Sequence, residues 1–454
     1  MCPAEVIHLK NGRTIWADHV TQEGNHIQYD VGEDSYSIPK SLVERIEAGG
    51  MPPAYSSATT SKTHDVPEFT PADSLKQDPA VSEKIIRGDQ VDPEALSALE
   101  SANPSDAAMA YSIAGKHEFD HGNFAQARIY FDKALRFDGQ NVTALNYYAS
   151  LLVRTGNPSE AVPYAERAVR MAPDSPDALT VLGYAQFASD HTEDAVRTWK
   201  RALALRPDAT VQQYLAKAQR DATAEADYSE RESSHFSLHF EGRQTSDAFR
   251  TQLLSTLESE YDDLVRELGI APRNTITVIL YTEQQYFDVT QAPSWSGAVY
   301  DGKLRIPVRG IDSVNSDLAR VLKHELTHCF INQLAVGRCP QWLNEGVAQA
   351  MEPKQVSNGR LIANLFQTQR EIPLNVLEGS FMRFNSAQAA VAYEESLATV
   401  QYISDTYGIS DLQRILQRLG EGNSTEAALR ATIHSDYGSL EDEVGKYLSN
   451  KYGN

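Results

Sequence analysis

Three residues in the second half of this 454-residue chain have the types and spacing to hold a metal ion and do chemistry beside it: His324, Glu325 and His328. Residues four apart on a helix share one face, so His324 and His328 can present two imidazoles to one ion while Glu325 lies alongside. By composition, chance would place this HExxH pattern in a chain of this length roughly 0.02 times, so the match carries weight. Downstream, Trp342-Leu343-Asn344-Glu345-Gly346-Val347-Ala348 opens a second helical stretch and offers Glu345 as a third ligand. Two histidines and a glutamate form one of the standard catalytic zinc sets, with the fourth position left to water. With Glu325 beside that position, this is the geometry of a zinc hydrolase.

HELTH followed by WLNEG resembles the gluzincins, zinc metallopeptidases whose third ligand is a Glu on a later helix. WLNEG itself looks like the element of the zinc aminopeptidases and of bacterial peptidases often fused to tetratricopeptide repeats. The resemblance covers roughly Ser234 to the C-terminus, and its specific part runs from His324 to Ala348. It implies one Zn2+ per chain held by His324, His328 and Glu345, with Glu325 as general base. A GxMEN exopeptidase motif is missing upstream, so the implied activity is that of an endopeptidase acting on a peptide or protein substrate. In the aminopeptidase branch a tyrosine after the third ligand steadies the oxyanion. Here the resemblance points to Tyr393, for which a packing role on its helix is the alternative. Asn344 reads equally as support for a ligand or as a residue of the helix start.

These residues need elements to hold them. Phe236–Phe240 alternates as a strand, Asp247–Leu268 is a long amphipathic helix, and Ile276–Tyr281 is a continuous apolar strand. Residues 296–308 read as a hairpin about Asp301-Gly302, with Pro307 marking its second strand as an edge strand or the end of one. In gluzincins an edge strand beside the metal pairs with the substrate backbone, and this hairpin is the candidate. Helices are expected over Gly359–Gln369, Ala387–Tyr407, Ile409–Leu419, Thr425–Ile433 and Leu440–Tyr452.

Upstream, small residues recur with a period of 34, at Gly115, Ala149 and Gly183, at Ala127, Ala161 and Ala195, and at Ala134, Ala168 and Ala202. This resembles the tetratricopeptide repeat, in which small residues sit where paired helices cross closely. Phe131 and Trp199 supply the large partner, and Ala165 replaces it in the middle unit. Three units and a closing helix make a solenoid whose concave face suits a protein partner or the neighbouring domain, a plain spacer being the alternative. Near the start, strands are expected at Val6–Leu9, Thr14–Ala17, His26–Tyr29 and Ser35–Ile38, with Asn11-Gly12 as a hairpin turn and Ser41–Ile46 as a short helix or turn. The expected fold is multi-domain α+β. A small β-rich domain (1–48) is followed by a Pro- and Ser-rich flexible linker (49–80), an all-α tetratricopeptide solenoid (81–225) and a zincin-like α+β peptidase domain (226–454).

A formal net charge of -21 and the lack of a Lys/Arg cluster exclude a nucleic-acid binder. No run of eighteen apolar residues is present, so no transmembrane segment is expected. Met1-Cys2-Pro3 leads almost directly into a strand pattern with no visible leader, whereas proteins that resemble this architecture are exported to the periplasm or cell envelope. Cys329 and Cys339 flank the segment between the two metal-site helices, where they form either a disulfide or two free thiols. The rivals to a zinc peptidase are an interaction scaffold that keeps the zincin fold without catalysis, and a zinc hydrolase of a non-peptide amide.

Overall fold

The structure, a computed structural model, describes residues 5–10, 14–17, 19–31, 34–48, 79–88, 90–242, 245–290, 298–308, 312–352, 355–381 and 384–453. Cys2, the Asn11-Gly12 turn, nearly all of the expected linker and Ser296-Gly297 lie outside the described residues.

Six short strands form the first unit: β1 (Glu5–Leu9), β2 (Thr14–Ala17), β3 (His19–Glu23), β4 (His26–Val31), β5 (Asp34–Pro39) and β6 (Val43–Ala48). They pair as two three-stranded sheets, β2-β1-β6 and β3-β4-β5. Two expectations are corrected here. His19–Glu23 is a strand that the pattern did not give, and the short helix or turn expected over Ser41–Ile46 is confined to a 3-10 turn at Lys40–Leu42, after which Val43–Ala48 is a strand. Long-range pairing decides the second case, because β6 runs antiparallel to β1 with Ile7 opposite Ile46, and this outweighs the local preference.

The next region is helical. α1 (Pro79–Ile85), the small ribbon β7 (Ile86–Arg87) and β8 (Gln90–Val91), and α2 (Pro93–Ala102) lead into three antiparallel pairs. These are α3 (Pro104–Asp120) with α4 (Phe124–Phe137), α5 (Val142–Arg154) with α6 (Pro158–Met171), and α7 (Pro176–Ala188) with α8 (Thr192–Leu205); α9 (Ala209–Ala224) closes the stack. The small-against-large rule holds physically: a Cβ at Gly115 would lie 2.6 Å from the Phe131 ring, and one at Gly183 would lie 2.3 Å from Trp199. The turns inside the pairs recur at Gly122, Gly156 and Asp190, with φ of 77°, 74° and 66°.

The C-terminal region is α+β. Its five-stranded sheet has the order β12-β13-β11-β10-β9, from β9 (Ser229–Glu232), β10 (Phe236–Phe240), β11 (Ile276–Thr282), β12 (Val299–Tyr300) and β13 (Leu304–Val308). β10, β11 and β13 run parallel, while β12 is an antiparallel edge strand with Tyr300 opposite Leu304. β13 is therefore not the edge strand; Pro307 sits past the end of the β12 pairing, where no ladder donor is needed. Helices α10 (Asp247–Leu268), α11 (Glu283–Thr290), α12 (Ser316–Ala335), α13 (Gln341–Met351), α14 (Gly359–Gln367), α15 (Ser386–Tyr407), α16 (Ile409–Gly420), α17 (Thr425–Ile433) and α18 (Tyr437–Tyr452) complete it. One apolar core runs from Phe236 and Leu238 through Leu257, Leu326 and Phe330 to Ile403 and Leu440.

The solenoid docks on this region by its turns. Arg338 packs on Gly122 and over the Phe124 ring, Asn274 Nδ2 donates to the Gly156 carbonyl at 2.5 Å, and Lys303 pairs with Asp190. Beside them lies a buried ion cluster. Arg305, 1% exposed, bonds Asp221 of α9 at 2.8 Å, Asp301 at 2.9 and 3.0 Å and the Tyr281 hydroxyl at 2.6 Å. Cys329 and Cys339 are free thiols, and among the described residues no helix is long and apolar enough to cross a membrane.

Candidate functional site

Helix α12 carries the first three residues. It starts at Asn315, whose side chain accepts from Leu318 N at 2.8 Å, and it ends at Val336 and Gly337, both at positive φ. Leu322, Leu326 and Phe330 bury one face in the core, and Lys323, 9% exposed, is drawn towards Glu260 and Glu267 of α10 at 3.4 and 3.6 Å. These anchors turn His324, Glu325 and His328 away from α10, towards α13 and the edge strand.

Helix α13 brings Glu345. Its depth depends on the next residue, because a Cβ at Gly346 would lie 2.5 Å from the Ser396 carbonyl oxygen of α15. Only glycine allows the two backbones to approach so closely. Glu345 Oε2 then lies 3.6 Å from His324 Nε2 and 3.9 Å from His328 Nε2. Gln341 Nε2 donates to the other carboxylate oxygen at 2.8 Å and so fixes which one faces the histidines. Donor atoms of all three side chains fall within 4.8 Å of one another, the one such His/Cys/Asp/Glu group among the described residues.

The histidines are also held from behind. His328 Nδ1 sits 2.9 Å from Asn344 Oδ1, so Nδ1–H donates and Nε2 keeps its lone pair for the site. Asn344 thus takes the ligand-supporting alternative. His324 Nδ1 lies 3.4 Å from Glu352 Oε1, a carboxylate that is 5% exposed and also 3.3 Å from Arg320. Glu352 was not among the residues singled out from sequence. Its signal was there: Glu345, Gln349 and Glu352 are polar positions spaced four and three apart along α13 and its C-terminal cap.

Burial alone would lower the His324 pKa, but its hydrogen bonds to Glu345 and Glu352 outweigh it and push the pKa up to about 10. His328 lacks that compensation and is lowered by burial. Burial raises Glu325 to about 7, against the pull of His324, while the backbone N–H of Tyr300 on edge strand β12 donates to its Oε2 at 3.0 Å. Tyr393 stands on α15, half-buried, its ring edge-on to Phe381 with centroids 5.3 Å apart. Its phenol pKa is raised first by the Glu345 carboxylate, then by burial, then by Glu325, which puts this hydroxyl within the field of both site carboxylates.

The donor set fits a zinc-sized ion. The 3.6 and 3.9 Å separations exceed only slightly the roughly 3.3 Å between N and O ligands placed about 2.0–2.1 Å from a tetrahedral centre, and Nε2 of both histidines lies within reach of the same Glu345 oxygen.

Residues 260–450 match the Peptidase MA superfamily. Two tetratricopeptide repeat families match upstream, one at residues 94–142 and 114–176 and the other at 152–219. No curated protein matches the chain. Among solved structures, the first tetratricopeptide domain of Spaghetti (RPAP3) bound to an HSP90 peptide is similar at 23% identity and a TM-score of 0.26, over 26% of this chain and 95% of that one. MamA (41-end) from Desulfovibrio magneticus RS-1 is similar at 23% identity and 0.26, over 29% and 75%. The N-terminal domain of stress-induced protein-1 from C.elegans is similar at 23% and 0.23, over 26% and 97%. From its repeats and its C-terminal domain together, this chain is a fusion of tetratricopeptide repeats to a domain of the Peptidase MA superfamily.

Proposed function

We propose that the protein is a zinc-dependent endopeptidase of the gluzincin type, with the solenoid recruiting protein substrates, and that it works outside the cytoplasm. The convergence of His324, His328 and Glu345 beside a half-buried Glu325 carries this reading. Zinc, when bound, supplies a Lewis acid for the scissile carbonyl and a water of lowered pKa. The chain does the rest. Asn344 and Glu352 hold the two imidazoles by Nδ1 and leave both Nε2 atoms facing Glu345. Glu325, with a pKa near neutrality, takes a proton from the attacking water and passes it to the departing amine nitrogen. The Tyr393 hydroxyl, kept protonated by the neighbouring carboxylates, donates to the oxygen that becomes negative as the carbonyl is attacked. Edge strand β12, which among the described residues pairs only with β13, lies beside Glu325 and is the strand along which an extended substrate would run.

The deciding experiment pairs metal analysis with hydrolysis of an unfolded protein. The wild type should hold one equivalent of zinc and cleave internal bonds. Glu325→Gln should keep the zinc and lose at least about a hundredfold in turnover, the lower end of what a positioned base contributes. Equal cleavage by both proteins at equal zinc content would sink the mechanism, and a chain that takes up no metal would leave the scaffold reading.

A further inference from the structure

The hairpin that carries the backbone donor to Glu325 is gripped from the solenoid side. Tyr300 N–H bonds Glu325 Oε2 at 3.0 Å, and the next residue, Asp301, is bound by Lys217 of α9 at 3.1 Å. Arg305, across the same hairpin, holds both oxygens of Asp301 and at the same time Asp221 of α9, which is fully buried. At the hairpin tip Lys303 reaches Asp190 in the turn between α7 and α8 and lies 3.4 Å from the hydroxyl of Thr192, the first residue of α8. Three anchors at alternate residues of the stretch 301–305 therefore come from the repeats, and that stretch ends one residue from the contact with the site.

The geometry points to Lys217, Asp221 and Asp301 as positioning residues for the peptidase site: the last solenoid helix sets the place of β12, and with it the N–H that orients Glu325. This rests on the peptidase reading for its effect on rate, but not for the clamp itself. Two antiparallel residue pairs are a short ladder to hold an edge strand in register, so the ionic grip takes over that work. The repeats are thus part of the catalytic apparatus as well as a candidate docking face. The three residues touch no reacting atom, and they act through the strand.

Lys217→Met in the full, zinc-loaded chain tests this, because Lys217 lies at the rim of the cluster and its loss leaves the Arg305–Asp221 pair in place. Amide hydrogen exchange over residues 299–305 should rise at least about tenfold while exchange in α4–α6 stays unchanged as the reference for folding. Turnover on a short disordered peptide should fall at least about fivefold with little change in KM, the sign of a misplaced group rather than a lost binding contact. Lys217→Arg should restore both, and Asp301→Asn should reproduce the loss from the other side of the contact. Unchanged protection of residues 299–305 in both Lys217→Met and Asp301→Asn would overturn the clamp. Absence of hydrolysis by the wild type would remove the peptidase reading only, since the exchange comparison decides the clamp without it.

Discussion

Two buried charge clusters lie on either side of the β12–β13 hairpin, and they solve the same electrostatic problem in opposite ways. Around Arg305 every carboxylate has a resident cation: Asp221 and Asp301 face the guanidinium, and Lys217 and Lys303 close the rim. Burial would raise Asp301, yet Arg305 and Lys217 hold its carboxyl well below the usual range. Around His324 the balance is left open. Glu325, Glu345 and Glu352 meet two imidazoles and a half-exposed Arg320, and Glu325 rises to about 7. The first cluster is complete without a ligand and serves architecture. The second gathers more carboxylates than permanent cations around two titratable imidazoles, the balance that suits a metal and a titrating base.

Breaking the complete cluster should have the largest effect. Arg305→Met strands Asp221 and Asp301 in the interior, and urea denaturation should register a loss of about 3–5 kcal/mol, the usual result of removing one partner of a buried pair. A loss below about 1 kcal/mol, the range of surface pairs, would show that the cluster is solvated and the comparison false.

The incomplete cluster should respond in affinity instead. Glu352→Gln keeps the shape behind His324 but removes its carboxylate, so zinc affinity, measured by competition with a chelator, should fall about 10–100-fold, as when the outer partner of a ligating histidine is lost. Overall stability without metal should change little. Unaltered zinc affinity would reduce Glu352 to a partner of Arg320.

A third group sharpens the rule through its dependence on pH. Glu395, fully buried on α15 with only the Ile372 N–H at 3.1 Å, is pushed up by burial to about 8. Its folded pKa lies above its unfolded value of about 4.5, so the folded chain holds this proton longer. The associated stability is complete below about pH 4.5 and is lost as pH rises through about 8. Glu395→Gln, a permanent mimic of the protonated form, should melt above the wild type at pH 9 and close to it at pH 5. The same gap at both values would rule out this carboxyl as the source.

What could be read from sequence follows how local each feature is. HELTH and WLNEG are each an unbroken motif, so His324, Glu325, His328 and Glu345 could be named together, and the structure brings donor atoms of His324, His328 and Glu345 within 4.8 Å of one another. The repeats could be read because each unit buries its small residues against its own partner helix, as Gly115 does on Phe131. Glu352 belongs to no motif and showed only as a helical spacing. Arg305 and Asp221 are 84 residues apart in different domains, and nothing in either local pattern ties them together. β6 was misread for a related reason: its partner β1 begins the chain, and pairing across that distance outweighs what Ser41–Ile46 prefers alone.

The three docking turns carry one more consequence. Gly122, Gly156 and Asp190 stand 34 residues apart, one per repeat, and each is fastened to the same rigid body, at Arg338, Asn274 and Lys303. A free stack of helix pairs is a spring whose pitch adjusts as it takes up a ligand, because each unit touches only its neighbours. A spring pinned at every coil behaves as a ruler. A partner that needed a different pitch would have to pull on three fastenings at once.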